Sequence, residues 1–386
     1  MPPDEPLAPA AAVLERQAPP LAAVLDRLLD GRHLSEGEAG KLLAALTAAD
    51  LAPALAGALL AALRAKGVTA DELRGFAGAM RALSRRPRLG STAGAVDIVG
   101  TGGDRSGSLN LSTGAALLVA ACGVPVIKHG NRSISSRAGS ADVLQALGLP
   151  MPLDEVAAGQ CYAALGFTFL FAPYYHPATG NLAPVRAALG VRTVFNILGP
   201  LSNPAAPPFL VVGAFELAAA ELMAQSLAGS IERAFVIHGA EGWDEPTPIG
   251  PFCLFDVGAH GCRQERRTPA DYGLPTCGAD ALAGGDARHN ARELQRALSG
   301  ESRGAHRDAL LLGAALALEV AGRESTPRAA LARAAQAIDS GAARELLARL
   351  ARFGAESRAA NATSTADAAD AADAVERSGA AVQGGR

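Results

Sequence analysis

The chain has 386 residues, enough for one large core and a smaller module. Its formal net charge of −3 argues against a sequence-independent nucleic-acid binder, and we expect neither a membrane span nor a signal peptide, because no apolar run is long enough. Five scattered cysteines without metal-ligand spacing are typical of reduced thiols, so a cytoplasmic protein is expected.

The first predicted elements are helices. Residues 20–86 carry leucines and valines at helical spacing, which predicts a bundle of about four short helices. Ser35 with Glu38, and Thr69 with Glu72, are capping-box patterns that mark two helix starts within this segment.

An alternation of strands and helices follows and predicts an α/β sheet. The predicted strands are residues 96–99, 124–127, 167–171, 209–212 and 234–237. Later helices are predicted over residues 290–298, 307–321 and 328–352. Residues 1–19 and 356–386 are poor in large apolar side chains, so both are predicted to be disordered tails.

A glycine-rich loop follows the first strand, from Gly100 through Gly103 to Asp104. Glycines let backbone N–H groups approach an anion without obstruction by Cβ atoms. The loop is not a dinucleotide fingerprint, since Arg105 stands at the third glycine position, and it is not a P-loop. Alone it indicates either an anion site or a plain tight turn.

Polar residues mark the start of the next helix, at Asn110, Ser112 and Thr113. One of them is expected to cap the helix. A cap needs one side chain, however, and three polar groups at the positive end of a helix favour phosphate binding.

A basic loop, residues 128–137, follows the second strand and combines cations, hydroxyls and a glycine. It is either a second phosphate clamp or a solvated basic loop. Asp244 and Glu245 follow a later strand and suit Mg²⁺, which binds carboxylate and phosphate oxygens. Arg186, in a segment that begins at His176, is of the type that binds a carboxylate through two hydrogen bonds.

Four motifs, in this order, resemble the anthranilate phosphoribosyltransferase family of the tryptophan pathway. They are GTGGD with NLST, KHGNRSISS, HPA and APVR with LGVRTVFNILGPLSNPA, and HGAEGWDE. The similarity covers about residues 20–352. Such a match implies an α/β fold with two domains, similar to nucleoside phosphorylases and phosphoribosyltransferases.

The implied domains are a small all-helical domain, residues 20–86 completed by about 176–199, and a large α/β domain, residues 87–355. The large domain would have a central, mostly parallel sheet flanked by helices. The cleft between the domains would hold both substrates, and a homodimer is expected.

The resemblance also implies site residues. Phosphoribosyl pyrophosphate would contact Gly100, Gly103, Asp104, Ser108, Asn110, Leu111, Ser112, Thr113, Lys128, His129, Gly130, Asn131, Arg132, Ser133, Ile134, Ser135, Ser136 and Ser140. Anthranilate would contact Gly100, His129, Asn131, His176 and Arg186. Ser112 would help to hold one Mg²⁺, and Asp244 and Glu245 a second. No side chain is expected to act as an acid or base; Lys128 would assist by stabilising charge.

Four positions depart from the common family pattern: Arg105, Thr179, Gly180 and Trp243. They flank the motifs without removing a predicted contact. The expected reaction transfers the phosphoribosyl group to the amine of anthranilate, with no membrane or nucleic-acid partner. The alternatives are another aromatic acceptor, a nucleoside phosphorylase of related architecture, and a non-catalytic nucleic-acid-binding relative.

Overall fold

The computed structural model describes residues 20–132, 137–259 and 261–360. The described chain opens with four helices, α1 (Leu21–Leu29), α2 (Glu36–Leu46), α3 (Pro53–Lys66) and α4 (Ala70–Ala82), as predicted. Both predicted capping boxes are formed: the side chain of Ser35 accepts a hydrogen bond from the Glu38 N–H, and Thr69 accepts one from the Glu72 N–H. Each cap satisfies backbone donors that have no partner within the helix.

A seven-stranded sheet follows. Its strands are β1 (Val96–Gly100), β2 (Val126–Gly130), β3 (Phe167–Phe171), β4 (Phe209–Gly213), β5 (Arg233–His238), β6 (Phe252–Gly258) and β7 (Gly261–Arg267). Their order is β3-β2-β1-β4-β5-β6-β7, parallel from β3 to β5 and antiparallel at β6 and β7. The prediction of five strands in a mostly parallel sheet is confirmed. The β6–β7 hairpin was not predicted. β7 is a polar edge strand with little apolar alternation, whereas β6 has an apolar, mostly buried sequence that the strand prediction missed.

Twelve further α-helices accompany the strands in the described ranges, besides four short 3-10 helices. They are α5 (Leu111–Ala121), α6 (Ser140–Ala146), α7 (Glu155–Leu165), α8 (Ala172–Tyr175), α9 (Ala183–Leu189), α10 (Phe195–Leu198), α11 (Leu217–Leu227), α12 (Pro269–Tyr272), α13 (Ala287–Leu298), α14 (Ala305–Val320), α15 (Pro327–Asp339) and α16 (residues 342–360). Among the described helices, none has the length and apolar character that a membrane crossing requires.

Both faces of the central strands are buried. Leu210 and Val212 of β4 point into the hydrophobic cluster that contains the core of the α1–α4 bundle, whereas Val211 points into the cluster on the opposite face. Val185 and Phe195, from the segment between β3 and β4, join the bundle's cluster. The bundle therefore packs on one face of the sheet, and the returning segment completes that contact.

The end of the chain differs from its prediction. The single helix predicted over residues 328–352 is two helices, since Gly341 takes a φ of +83° between α15 and α16. The predicted tail from residue 356 is wrong for residues 356–360, which are helical. Gly354 lets α16 lie directly against the Gly148 carbonyl, and Arg358 donates to that oxygen at 3.0 Å. Residues 1–19 and 361–386 lie outside the described ranges.

Candidate active site at the carboxyl ends of the strands

The predicted loops converge where the strand order reverses, between β1 and β4. Ligands of open α/β sheets bind outside the carboxyl ends of the strands at such a point. Here Asp244 comes so close to the ends of both strands that only glycine fits. A Cβ on Gly100 would lie 2.4 Å from the Asp244 Oδ2, and one on Gly213 would lie 1.6 Å from its carbonyl oxygen.

The glycine-rich loop has an unusual backbone, with positive φ at Gly102, Gly103, Arg105 and Gly107. The Gly102 N–H donates to Asp244 Oδ2 at 2.5 Å, which joins this loop to the loop after β5. Arg105 has a φ of +61°, a conformation that glycine adopts without steric cost. A glycine, which the family resemblance led us to expect at this position, would adopt that conformation without strain.

The N-terminus of α5 is not capped by its own residues, so the expectation of a cap there is wrong. Asn110 occupies the cap position, but its side chain donates instead to the Ala138 carbonyl and accepts from Asn290. The Ser112 N–H donates to Glu245 Oε1 at 3.2 Å. A carboxylate thus takes the place at the positive helix end that suits an anion.

Burial dominates the charge state of the two carboxylates. Burial, with the negative charges of Glu245 and Asp104, raises the pKa of Asp244 well above its ordinary value. Burial also raises the pKa of Glu245 to about 7, although the positive charge of Lys128 opposes this shift. A divalent cation would neutralise this cluster, and Asp104 Oδ2 is buried there without a hydrogen-bond partner.

No group of three acidic, histidine or cysteine side chains in the described ranges is arranged to hold a metal ion unaided. Mg²⁺ usually needs one or two carboxylates together with substrate phosphates. Asp244 and Glu245 fit that requirement, and their closeness to the glycine-rich loop would place an ion beside a bound phosphate. The donor set therefore fits the predicted cation.

Lys128 lies beneath the cleft and not on its surface. It is 1 % exposed, and its Nζ donates to the Ile98 carbonyl. Burial lowers the pKa of Lys128, while Asp97, Glu245 and Asp244 oppose that shift. In this position its charge acts on the carboxylates from below.

Side chains replace backbone hydrogen bonds between β1 and β2. The ladder joins Val96 to Val126, whereas β1 pairs with β4 along its whole length. Beyond that point, the Asn203 amide donates to Asp97 Oδ2 at 2.8 Å and to the Ile127 carbonyl at 2.9 Å. Burial raises the pKa of Asp97 to about 6, with Lys128 and Asn203 acting against it. This polar floor supports the ends of both strands.

The two predicted histidines lie together, with ring centroids 5.0 Å apart in an edge-on arrangement. Both are 3 % exposed, so they lie below the cleft wall. Burial, with repulsion from His176, lowers the pKa of His129 to about 3. Burial lowers the pKa of His176 to about 4, although interactions with the backbone of Ser202 and Met80 oppose this shift. Both rings are therefore neutral at pH 7.

Two predicted arginines differ in their surroundings. Arg186 is half-buried above the Phe195 ring at 5.1 Å, and no carboxylate in the described ranges pairs with it. Burial lowers the pKa of Arg186. Arg132 donates to Asp142 Oδ1 at 2.5 Å and to Gln145 Oε1 at 3.1 Å. Arg186 is therefore the one of the two with an uncommitted guanidinium.

The remaining predicted residues lie around the same strand ends. Leu111 is buried in the first turn of α5, Thr113 donates to Ser140 at 3.0 Å, and Ser108 pairs with Ala283 in a β-bridge. Gly130 ends β2, and Asn131 is exposed just after it. Ser133, Ile134, Ser135 and Ser136 lie outside the described residues.

Asp97, Arg192 and Asn203 were not predicted as site residues. A charged residue inside an apolar strand was the available signal for Asp97. Arg192 and Asn203 stood within a motif already quoted, but their partners lie 89 and 106 positions away in sequence.

Family models with the description "Glycosyl transferase family" match most of the chain. The helical bundle domain matches residues 22–84, and the a/b domain matches residues 92–344. The fold and its site thus define a glycosyl transferase built from a helical bundle and an α/β sheet.

Relatives of known name narrow this class. Anthranilate phosphoribosyltransferase of Rhodopseudomonas palustris is 45 % identical over 329 residues, which is 85 % of this chain and 96 % of that relative. The enzyme of the same name from Rubrobacter xylanophilus is 44 % identical over 333 residues, or 86 % of this chain and 97 % of the relative. The chain belongs to the anthranilate phosphoribosyltransferase family.

Solved structures agree with this assignment. The anthranilate phosphoribosyltransferase of Thermus thermophilus superimposes with a TM-score of 0.81 at 42 % identity, covering 86 % of this chain and 98 % of that one. The Saccharomyces cerevisiae enzyme, in complex with PRPP and Mg, has a TM-score of 0.79 at 25 % identity, with 87 % and 98 % covered.

Proposed function

We propose that the protein transfers the phosphoribosyl group of phosphoribosyl pyrophosphate to the amine of anthranilate, in tryptophan biosynthesis. The products are N-(5-phosphoribosyl)anthranilate and pyrophosphate. The observation that carries this proposal is the meeting of the glycine-rich loop, the N-terminus of α5 and the acidic pair Asp244 and Glu245 at the strand ends. Membership of the family and the relatives' names support it.

The chemistry requires positioning more than acid–base catalysis. The amine nitrogen of anthranilate attacks C1 of the ribose, the bond from C1 to the pyrophosphate oxygen breaks, and the nitrogen loses a proton. An aryl amine is already nucleophilic, so no strong base is needed. Backbone N–H groups of the glycine-rich loop hold the leaving pyrophosphate and stabilise its charge.

Magnesium is the proposed cofactor, held by Asp244 and Glu245, with Ser112 at a second ion. The yeast relative was solved with PRPP and Mg, which supports this choice. When bound, Mg²⁺ neutralises charge on the pyrophosphate leaving group. Lys128 adds positive charge from beneath the carboxylates.

Anthranilate is the proposed acceptor, and Arg186 its carboxylate clamp. A half-buried guanidinium without an acidic partner is suited to a two-pronged hydrogen bond with an aromatic acid. The yeast relative was also solved in complex with 4-fluoroanthranilate, which supports this acceptor class.

The proposed function is tested by mixing the protein with phosphoribosyl pyrophosphate, Mg²⁺ and anthranilate and following anthranilate fluorescence. We expect fluorescence to fall only when all components are present. Pyrophosphate release with another aromatic amine, but no fluorescence loss with anthranilate, would overturn the acceptor. No pyrophosphate release with any amine would overturn the transferase assignment.

Domain organisation, assembly and location complete the proposal. We place the helical domain at residues 20–86, completed by about 176–199, and the α/β domain at residues 87–355. A homodimer is proposed on the family resemblance, and sedimentation velocity tests it. A cytoplasmic location is proposed because the five cysteines are free thiols.

A further inference from the structure

The middle of the glycine-rich loop is held by a residue from another part of the chain. At its start, the Thr101 N–H donates to the Gly213 carbonyl at 3.0 Å. At its end, the Gly284 N–H donates to the Gly107 carbonyl at 2.9 Å. Between these points the backbone takes left-handed conformations. Glycines such as Gly103 restrict the backbone less than any other residue. Asp244 holds the N–H of Gly102, and the residues that follow need a further external contact to keep one conformation.

Arg192 provides that contact. Its Nη2 donates to the Gly103 carbonyl oxygen at 2.7 Å. The central carbon of the guanidinium lies over the ring of Phe215, 3.7 Å from the ring centre, and Phe215 comes shortly after β4. Its own carbonyl accepts a hydrogen bond from Arg64 of α3 at 2.9 Å. Arg192 therefore joins the helical bundle, the end of β4 and the middle of the loop.

Because the peptide bond is planar, the contact between Arg192 and the Gly103 carbonyl also fixes the direction of the next N–H in the loop. In a planar trans peptide, the carbonyl and the following N–H point in opposite directions. With the Gly103 carbonyl fixed on Arg192, the Asp104 N–H must point away from it. In the described ranges nothing accepts from that N–H, so it is free to donate to an anion.

Phe215 connects the Arg192 contact to the glycine-rich loop and to the acidic pair through hydrogen bonds. The Phe215 N–H donates to Thr101 Oγ1 at 3.2 Å, and that hydroxyl donates to Asp244 Oδ2 at 3.4 Å. Phe215, whose ring lies under the Arg192 guanidinium, is thus bonded to Thr101 of the same loop, and Thr101 in turn is bonded to a proposed metal ligand. A stacked arginine is also held in one orientation more tightly than a lysine would be.

We propose that Arg192 is a positioning residue that clasps the glycine-rich loop and sets its N–H groups for the pyrophosphate of the donor. Because Arg64 of the helical bundle donates to the Arg192 carbonyl, a movement of the bundle would also move the donor-binding loop. This inference rests on the proposed function for the identity of the donor. The orientation of the loop by Arg192 stands apart from it.

Arg192→Ala and Arg192→Lys are the test variants, and Arg328→Ala is the matched control. Arg328 also donates to a backbone carbonyl, that of Ala270, but lies on α15 outside the site. Hydrogen exchange of residues 100–108 reports the loop directly. Calorimetry with phosphoribosyl pyrophosphate and Mg²⁺, without acceptor, reports donor binding.

In Arg192→Ala we expect faster exchange in residues 100–108 and donor affinity weakened about tenfold, the effect of losing one charge-assisted hydrogen bond. The acceptor KM should change little. Arg192→Lys should fall between Arg192→Ala and the parent, since it keeps a donor but loses the planar stack. Arg328→Ala should match the parent in both measurements.

Unchanged exchange in residues 100–108 of both Arg192 variants would overturn the clasp, as would donor affinity equal to that of the parent. If the parent protein transfers nothing to any amine, the proposed function fails. The exchange comparison between the Arg192 variants and Arg328→Ala then still decides the clasp.

Discussion

At the residue scale, the site contains one residue with a strained backbone and one arginine without an acidic partner. Arg105 keeps a left-handed backbone, and Arg186 keeps a half-buried cation without an acidic partner. Strained backbone and unpaired buried charge persist only where the surrounding structure imposes them. In this protein both lie on segments that border the same strand ends.

The backbone of Arg105 leads to a stability prediction. Arg105→Gly should be more stable to unfolding than Arg105→Ala by about 0.5–1 kcal/mol, because only glycine relieves the left-handed strain. Chemical denaturation of the two variants measures the difference. An alanine variant as stable as the glycine variant would show that φ at this position carries no cost.

The surroundings of Arg186 lead to a kinetic prediction. Arg186→Ala should raise the acceptor KM about tenfold or more while the donor KM changes little, because a charged two-pronged hydrogen bond is lost. Arg186→Lys keeps the charge and should show a smaller rise. Equal rises in both KM values would count against the carboxylate clamp.

At the scale of elements, close approaches of backbone decide which helices and strands can meet. Gly75 of α4 faces the Glu36 carbonyl of α2, and an added Cβ would lie 2.1 Å from that oxygen. Gly213 plays the same part between β4 and the segment at Asp244. Neither glycine has a positive φ, so backbone conformation does not require glycine at either position. Glycine is required because a carbonyl oxygen approaches each Cα closely.

Two substitutions on one helix test this packing. Gly75→Ala should destabilise the protein by about 1–3 kcal/mol, the usual cost of overpacking. Gly78→Ala, on the same helix with nothing within 4 Å of the new atom, should stabilise it by about 0.5–1 kcal/mol. Thermal unfolding of both variants gives the comparison, and two shifts of the same sign would contradict it.

The start of α2 leads to a pH prediction. The hydrogen bond from Arg27, with that from the Ser35 N–H, lowers the pKa of Glu38 to about 2. A lowered pKa means that the ionised group stabilises the fold above its ordinary pKa of 4.5, and that this contribution is lost as the pH falls towards 2.

Glu38→Gln should therefore lower the Tm at pH 7. The loss in free energy of unfolding should be less than about 1 kcal/mol, because the Arg27–Glu38 ion pair is partly solvated. The gap in stability to the parent protein should narrow as the pH falls from about 5 to about 2. Glu36→Gln, in the same first turn, is the control. A gap that stays constant with pH would mean that the charge of Glu38 does not contribute.

At the scale of the whole molecule, the site exists only because distant segments meet. Asp244 bonds to Gly102 across 142 positions, and Glu245 bonds to Ser112 across 133 positions. The reversal of strand order between β1 and β4 brings these segments to one crevice. The helical bundle reaches the same crevice through Arg64 and Arg192.

The assembled carboxylates lead to a prediction about magnesium. Asp244→Asn combined with Glu245→Gln should lower turnover and weaken the Mg²⁺ dependence at least about tenfold, because the oxygen donors lose their charge. Glu241→Gln, an exposed acidic residue in the same loop, is the control and should titrate like the parent. An unchanged Mg²⁺ titration of the double variant would contradict the metal assignment.

The sequence alone determined the local features. Capping boxes, the positions of five strands and the family motifs follow from residue spacing over a few positions, which is where helix and strand periodicity is encoded. The mostly parallel order of those strands was implied by the resemblance. The resemblance placed the donor loop, the basic loop and the acidic pair in one site, and the meeting of Gly102 and Ser112 with that pair agrees with it.

Only the tertiary structure decided which charged side chains are buried and which hydrogen-bond or ion-pair partners they have. It put Lys128 beneath the cleft, tied Arg132 to Asp142, left Arg186 without an acidic partner, and set Arg192 on the Gly103 carbonyl. An arginine or a lysine looks the same in sequence whether it is solvated, paired or buried. Its role depends on desolvation and on partners that can lie a hundred positions away, and these are fixed only when the sheet closes over its helices.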